Sequence, residues 1–365
     1  MFSAKKSLNL ALQGGGAHGA FTWGVLDRLL EDDLELGWIS GTSAGAVNAV
    51  ALADGLLRDG RQGGRERLRR VWDAVEAAGI SDLARLNPFL YGMARASGMS
   101  GLGPFVSPYD FNPLGFDPLR KLLAASIDFD RIRDEAGPEL IIAATDVGSG
   151  CPRLFRRRQM SIEVVLASAC LPQLHHAVEI EGRAYWDGGF SANPDIVTLG
   201  SESPVRDTLI VQLNPLDRQS LPRSARDIGA QINTITFNQP LLRDVELIVA
   251  AQEEAGGHWL FARPGRLTSL ARHRFHIIDA GRYTSTLRAE SKAAPERSVI
   301  AYLFASGRME AARWLERHRD DIGRRQSADL RRIYLDSPRA QMKQPPGETE
   351  AKRGGTPHQK DEPRL

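Results

Sequence analysis

Ser43 lies in Gly41-Thr42-Ser43-Ala44-Gly45, with glycine at both second neighbours, between an apolar run and an alanine-rich one. A serine so flanked reads as a nucleophile elbow, a strained strand-to-helix turn that exposes its central side chain and needs glycines where other side chains would collide. A second constellation, Gly14-Gly15-Gly16-Ala17-His18-Gly19, follows an alternating apolar run at residues 7–12 and precedes a helical pattern over residues 20–30. Backbone N–H groups converging at a helix start hold anions. Two anions suit this loop: a nucleotide pyrophosphate or a reaction oxyanion. The third candidate is Asp187, which follows a strand-like segment at residues 177–185 and precedes Gly188-Gly189. Such a turn leaves the carboxylate with little steric cover, open to take a proton from Ser43, although an Asp-Gly pair taken alone is more often a plain turn. A nucleophile, N–H donors for a tetrahedral oxyanion and a base are the parts of an acyl-transfer site.

These parts meet only if the chain brings them together. Residues 7–12 and the segment ending at Ser40-Gly41 read as two parallel strands of a right-handed βαβ unit, which puts the glycine loop and the elbow side by side at the strands' carboxyl ends. The dinucleotide reading competes, since Gly14, Gly16 and Gly19 satisfy G-x-G-x-x-G. It lacks the ribose-binding acid at the end of the second strand: Asp32, Asp33 and Glu35 all precede that strand. Residues 44–57 and 65–78 read as helices joined by a Gly/Arg loop. Residues 86–116, rich in Gly, Pro and large apolar side chains, form a long irregular segment, either a cap over an acyl-chain groove or a loop packed on the body.

Residues 140–145 form a buried-strand run ending at Asp146, whose expected role is turn chemistry. Arg156-Arg157-Arg158 reads as a solvated strand end and residues 162–169 as a helix. Strands are expected at 209–213 and 274–279, a long helix at 225–255 with a bend near Pro240, and arginine-rich helices at 298–320 and 326–335. Those arginines suit a solvated face more often than a membrane-facing one. Residues 337–365 are polar and rich in Pro and Gly, the composition of a disordered tail behind one domain spanning 1–336.

The whole composition is that of a globular protein: 365 residues, 42% hydrophobic and 25% charged. With 47 basic against 45 acidic residues, the net charge of +2 gives no nucleic-acid signature. Two cysteines are no disulfide framework. The apolar run at 8–12 is too short for the core of a signal peptide, and none approaches the ~18 residues of a spanning helix. The expected location is cytoplasmic, soluble or peripheral to the membrane, with no metal and no cofactor.

An ordinary α/β-hydrolase orders its triad as Ser, acid, His with several strands ahead of the elbow. Only one strand fits ahead of it here. His175 and His176 stand in no recognisable catalytic frame, and a Ser/Asp pair is the better proposal.

Gly14-Gly15-Gly16-Ala17-His18-Gly19, Gly41-Thr42-Ser43-Ala44-Gly45, the block at residues 167–172 and Asp187-Gly188-Gly189, in this order, resemble the four blocks of the patatin-like phospholipases. The match spans roughly residues 7–194. The resemblance implies an α/β fold, a three-layer α/β/α sandwich with a mostly parallel central sheet. It further implies Ser43 as nucleophile, Asp187 as its base in a dyad without histidine, Gly14, Gly15 and Gly16 as oxyanion hole, and residues 167–172 as structural support. One departure stands out: His18 occupies the glycine block where many members carry Arg or Lys. The implied activity is hydrolysis of fatty-acyl esters of lipids. The alternatives are an esterase, depolymerase or acyltransferase acting on another ester, and a lipid- or nucleotide-binding module without turnover.

Overall fold

The computed structural model describes residues 5–78, 107–115, 117–216, 221–258, 265–287, 289–292 and 296–336. Strand β1 (Lys6–Leu12) leads through the glycine loop into helix α1 (Gly19–Leu29), and β2 (Leu34–Gly41) leads through the elbow into α2 (Ala44–Ala78). Helices α3 (Pro118–Ser126) and α4 (Phe129–Asp134) precede β3 (Leu140–Asp146), β4 (Pro152–Arg156) and α5 (Ile162–Ser168). Next come β5 (Val178–Ile180), β6 (Arg183–Asp187), α6 (Val197–Glu202), β7 (Asp207–Gln212), α7 (Ala225–His258), α8 (Arg266–Ala271), β8 (Arg274–Asp279) and α9 (Arg297–His318).

The strands form one sheet in the order β5-β6-β3-β2-β1-β7-β8, with β4 also paired to β3. From β3 to β8 every neighbouring pair along that order is parallel. The apolar pattern explains why helices cover both faces. Leu8, Leu10 and Leu12 of β1 join one apolar cluster with side chains of α1, α2 and α9, while Ala11 joins a second with α6, α7 and α8. Strand β7 alternates likewise, with Leu209 and Val211 on the first face and Ile210 on the second. A strand buried on both faces reads as a continuous hydrophobic run, as Leu140–Asp146 does. The result is the expected α/β/α sandwich.

Two local expectations change. Residues 177–185 are not one strand but the hairpin of β5 and β6, turned by Glu181 at φ 52° and Gly182 at φ 76°. Strand β6 therefore runs antiparallel to β3, with Asp187 opposite Ala144. The two helices expected at 44–57 and 65–78 are both present within α2, separated by a non-helical break at Asp59 and Gly60, where Gly60 takes φ 52°. Of residues 326–335, only Arg331–Asp336 coils, as a short π-helical segment. Pro240 lies inside α7. Most of the 86–116 segment and all of 337–365 lie outside the described residues.

Several arginines of α9 and the turn after it pair with acids. Arg308 pairs with Asp27 and Glu31, Arg313 with Glu310, and Arg319 with Asp32. This is a neutralised, solvated face rather than a free basic one. Among the described residues no helix is long and apolar enough to cross a membrane.

Candidate active site

The elbow forms because the chain must turn from the end of β2 into α2 within two residues. Ser43 accepts φ 55° to make that turn, a conformation that costs a non-glycine residue free energy and persists only where the surroundings hold it. They do so closely. The Ser43 N–H donates to Ser168 Oγ at 2.9 Å, the Ala46 N–H donates to the Ser43 carbonyl at 2.9 Å, and Thr42 Oγ1 donates to the Ala192 carbonyl at 2.7 Å. Ser168 closes α5 and lies in the 167–172 block, so the support expected of that block takes the form of one hydrogen bond to the elbow backbone.

Gly45 is required by close approach: a Cβ there would stand 2.1 Å from the Leu12 carbonyl oxygen in the middle of the sheet. Gly45→Ala is expected to cost more than ~4 kcal/mol, since neither β1 nor the start of α2 can retreat without breaking the sheet. Soluble yield and far-UV circular dichroism of the variant check this, and a folded, soluble Gly45→Ala protein would refute it.

The glycine loop lies against the elbow, and a Cβ on Gly14 would stand 2.9 Å from that of Ser43. The Gly14 N–H is taken by Asn193 Oδ1 at 2.8 Å. Gly15 is half-buried and Gly16 exposed, and among the described residues neither N–H has a hydrogen-bond partner. Gln13 anchors the loop from below, its Oε1 accepting the N–H groups of Leu213 and Asn214 at 2.7 and 2.8 Å.

Asp187 ends β6 and caps the 3-10 turn Gly188–Phe190. Its backbone is tied on both sides: its N–H donates to the Cys170 carbonyl at 2.8 Å, and Thr145 Oγ1 donates to its carbonyl at 2.8 Å. Oδ1 accepts the Gly189 N–H at 2.7 Å, while Oδ2 is buried and has no hydrogen-bond partner among the described residues. The Ser43 hydroxyl acts on this carboxyl at a longer reach, favouring its ionised form. Burial dominates and pushes the group up to about 7, against the pull of the Gly189 N–H and of Ser43. A carboxylate with one unpartnered oxygen and the basicity of an imidazole can accept a serine proton, which an exposed aspartate does poorly.

The other candidates are occupied elsewhere. Asp146 accepts from Ser149 N–H and Oγ at 2.9 and 2.8 Å and pairs with Arg183, which holds it well below the usual carboxylate range. This is the turn role expected of it. His176 stacks on Tyr109 at 4.1 Å and its Nε2 meets the Pro108 carbonyl at 3.2 Å. Cys170 is buried and Cys151 exposed, both free thiols. Among the described residues no group of His, Cys, Asp and Glu could hold a metal ion.

Sequence reasoning missed Asn193 and Gln13 as parts of the site. Gln13, a lone amide ending an apolar strand, carried a signal. Asn193 carried none, because its partner lies 179 residues away.

An α/β/α sandwich with a serine elbow and a glycine loop at the carboxyl ends of adjacent parallel strands defines the class of fold. Residues 10–199, more than half the chain, match the family model of the patatin-like phospholipases. The chain belongs to that family, whose members are lipid-hydrolysing enzymes. Among solved structures it is similar to VipD from Legionella pneumophila, at 19% identity over 87% of this chain and 68% of that one, with a TM-score of 0.42.

Proposed function

We propose that the chain is a serine acyl hydrolase of phospholipase or lysophospholipase type, working through a Ser43/Asp187 dyad. Ser43 Oγ attacks the ester carbonyl carbon as its proton passes to Asp187. The oxyanion so formed is met by the N–H groups of Gly15 and Gly16, while Gly14, spent on Asn193, keeps the loop in place. Collapse expels the alcohol portion, which leaves with the proton from Asp187, and the acyl group stays on Ser43. Asp187 then takes a proton from water, the hydroxide attacks the acyl-enzyme, and the fatty acid departs as Ser43 regains its proton.

The observation that carries this reading is the full burial of Asp187 beside a strained serine, with Oδ2 unpartnered and the carboxyl raised to about 7. Peripheral contact with a lipid surface belongs to the same reading. Ile228, Ile232 and Ile235, spaced along α7, are exposed on the helix whose Phe237 packs edge-on against Phe190 beside Asp187.

The test is a panel of phospholipids and lysophospholipids, with released acyl chains read by mass spectrometry. A fluorophosphonate probe is run in parallel on wild type and Ser43→Ala. Acyl release and labelling by wild type alone are expected. A chain that releases nothing and takes no label is a binding module, and the reading falls.

A further inference from the structure

The turn at Ala289–Lys292 sits directly on the glycine loop. A Cβ on Gly16 would stand 2.3 Å from the Lys292 carbonyl oxygen, and Ser291 Oγ lies 2.7 Å from His18 Nε2. From this turn the Lys292 side chain runs inward, and its Nζ donates to Asn214 Oδ1 at 2.7 Å. Asn214 in turn donates through Nδ2 to the Gly14 carbonyl at 3.4 Å and through its N–H to Gln13 Oε1. One neutral side chain thus separates an ammonium from the first glycine of the loop. Among the described residues no carboxylate pairs with it. A desolvated, unpaired cation is costly to keep, and such groups cluster where the charge is used.

Among the described residues, the titratable group that feels the charge of Lys292 is His18, on the turn that begins at Gly16. Burial first, and the Lys292 charge second, hold His18 down to about 3, so near neutral pH the imidazole is uncharged. Burial pushes Lys292 itself down to about 8. The fixed charge that the glycine block lacks at position 18 is present in space, delivered by a residue 274 positions later.

We infer that Lys292 is a positioning residue for acyl transfer: through Asn214 it holds the glycine loop, and its positive charge beside the loop favours the oxyanion. This rests on the reading of Ser43 as nucleophile and of the loop as its oxyanion hole.

The experiment measures kcat and KM for a soluble short-chain p-nitrophenyl ester from pH 6 to 9.5, in full-length wild type, Lys292→Met, Lys292→Arg and Ser43→Ala. Fluorophosphonate labelling rates and thermal melting are read alongside. Lys292→Met is expected to lower kcat by ~10- to 100-fold, in the range of losing oxyanion stabilisation, with KM within about threefold and no loss of melting temperature. Wild-type kcat is expected to rise as Asp187 ionises near pH 7 and to fall as Lys292 deprotonates above about pH 8. Lys292→Arg should restore most of the rate and shift the alkaline limb upward by more than about one unit, because a guanidinium stays charged there. A merely structural lysine would not move that limb.

Lys292→Met with wild-type kcat, or an alkaline limb unchanged in Lys292→Arg, overturns the inference while leaving the dyad intact. If Lys292→Met does not fold, the limb in Lys292→Arg decides. Wild type that neither hydrolyses the ester nor labels at Ser43 overturns the underlying hydrolase reading instead.

Discussion

Ser43→Ala is expected to abolish lipid ester hydrolysis, lowering kcat by ~10⁴-fold or more, because the loss removes the covalent route and leaves only the loop's amides to act on the oxyanion. The fold should survive. The backbone hydrogen bonds that hold the elbow, from Ser43 N–H to Ser168 and from Ala46 N–H to the Ser43 carbonyl, do not involve the deleted hydroxyl. Alanine must still adopt φ 55°, as serine does, so the strain is nearly unchanged. Full activity in a folded Ser43→Ala protein would end the proposed mechanism. Loss of activity together with loss of the folded state would not count for it, so melting curves accompany the rates.

Asp187→Asn should abolish activity to a similar degree and, unlike Ser43→Ala, should make the protein more stable. The sign follows from proton linkage. The carboxyl titrates near its ordinary value of 3.8 in the unfolded chain and at about 7 in the folded one. Between those values the folded state holds a proton that the unfolded state has released, so stability falls as pH rises from about 4 to 7 and the cost is complete above 7. At roughly 1.4 kcal/mol per unit of difference, the penalty is of order a few kcal/mol. An uncharged amide of the same shape escapes it, although its NH₂ then needs an acceptor. Urea unfolding at pH 4, 6 and 8 should show no advantage for Asp187→Asn at pH 4 and a growing one toward pH 8. The same titration predicts that wild-type kcat drops about tenfold per unit below pH 7, as the base is protonated. A gain independent of pH would mean that Asp187 is not held in the raised state. The pairing of a lost activity with a gained stability is the mark of a group kept in an unfavourable environment for chemistry.

The glycine loop and elbow were legible because their chemistry is local. Gly14 to Gly19 and Gly41 to Gly45 report their own backbone conformations, and the alternating residues of β1 and the apolar run of β3 report their own burial. The hairpin at β5 and β6 was not legible, since the strand-like segment 177–185 reads the same whether the chain continues straight or reverses at Glu181 and Gly182. Nor was the fate of residues 326–335, where helical propensity yields to the packing of Tyr334 under α7, its hydroxyl reaching Gln212.

The sequence by itself determined the parallel α/β architecture and the family, and it pointed to the serine, the acid and the glycine loop that the proposed mechanism uses. Spacing and residue type carry those. Tertiary structure alone decided how the parts are tuned. It engages the Gly14 amide with Asn193 and, among the described residues, leaves those of Gly15 and Gly16 open. It ties Asp146 to Arg183 and buries Asp187 with only the Gly189 amide and the Ser43 hydroxyl acting on its carboxyl, so that two aspartates of ordinary chemistry titrate far apart. It also sets Lys292 beside a neutral His18. The reason is common to all three: desolvation and hydrogen bonding act through space, between residues tens to hundreds of positions apart, and leave no trace in the order of the chain.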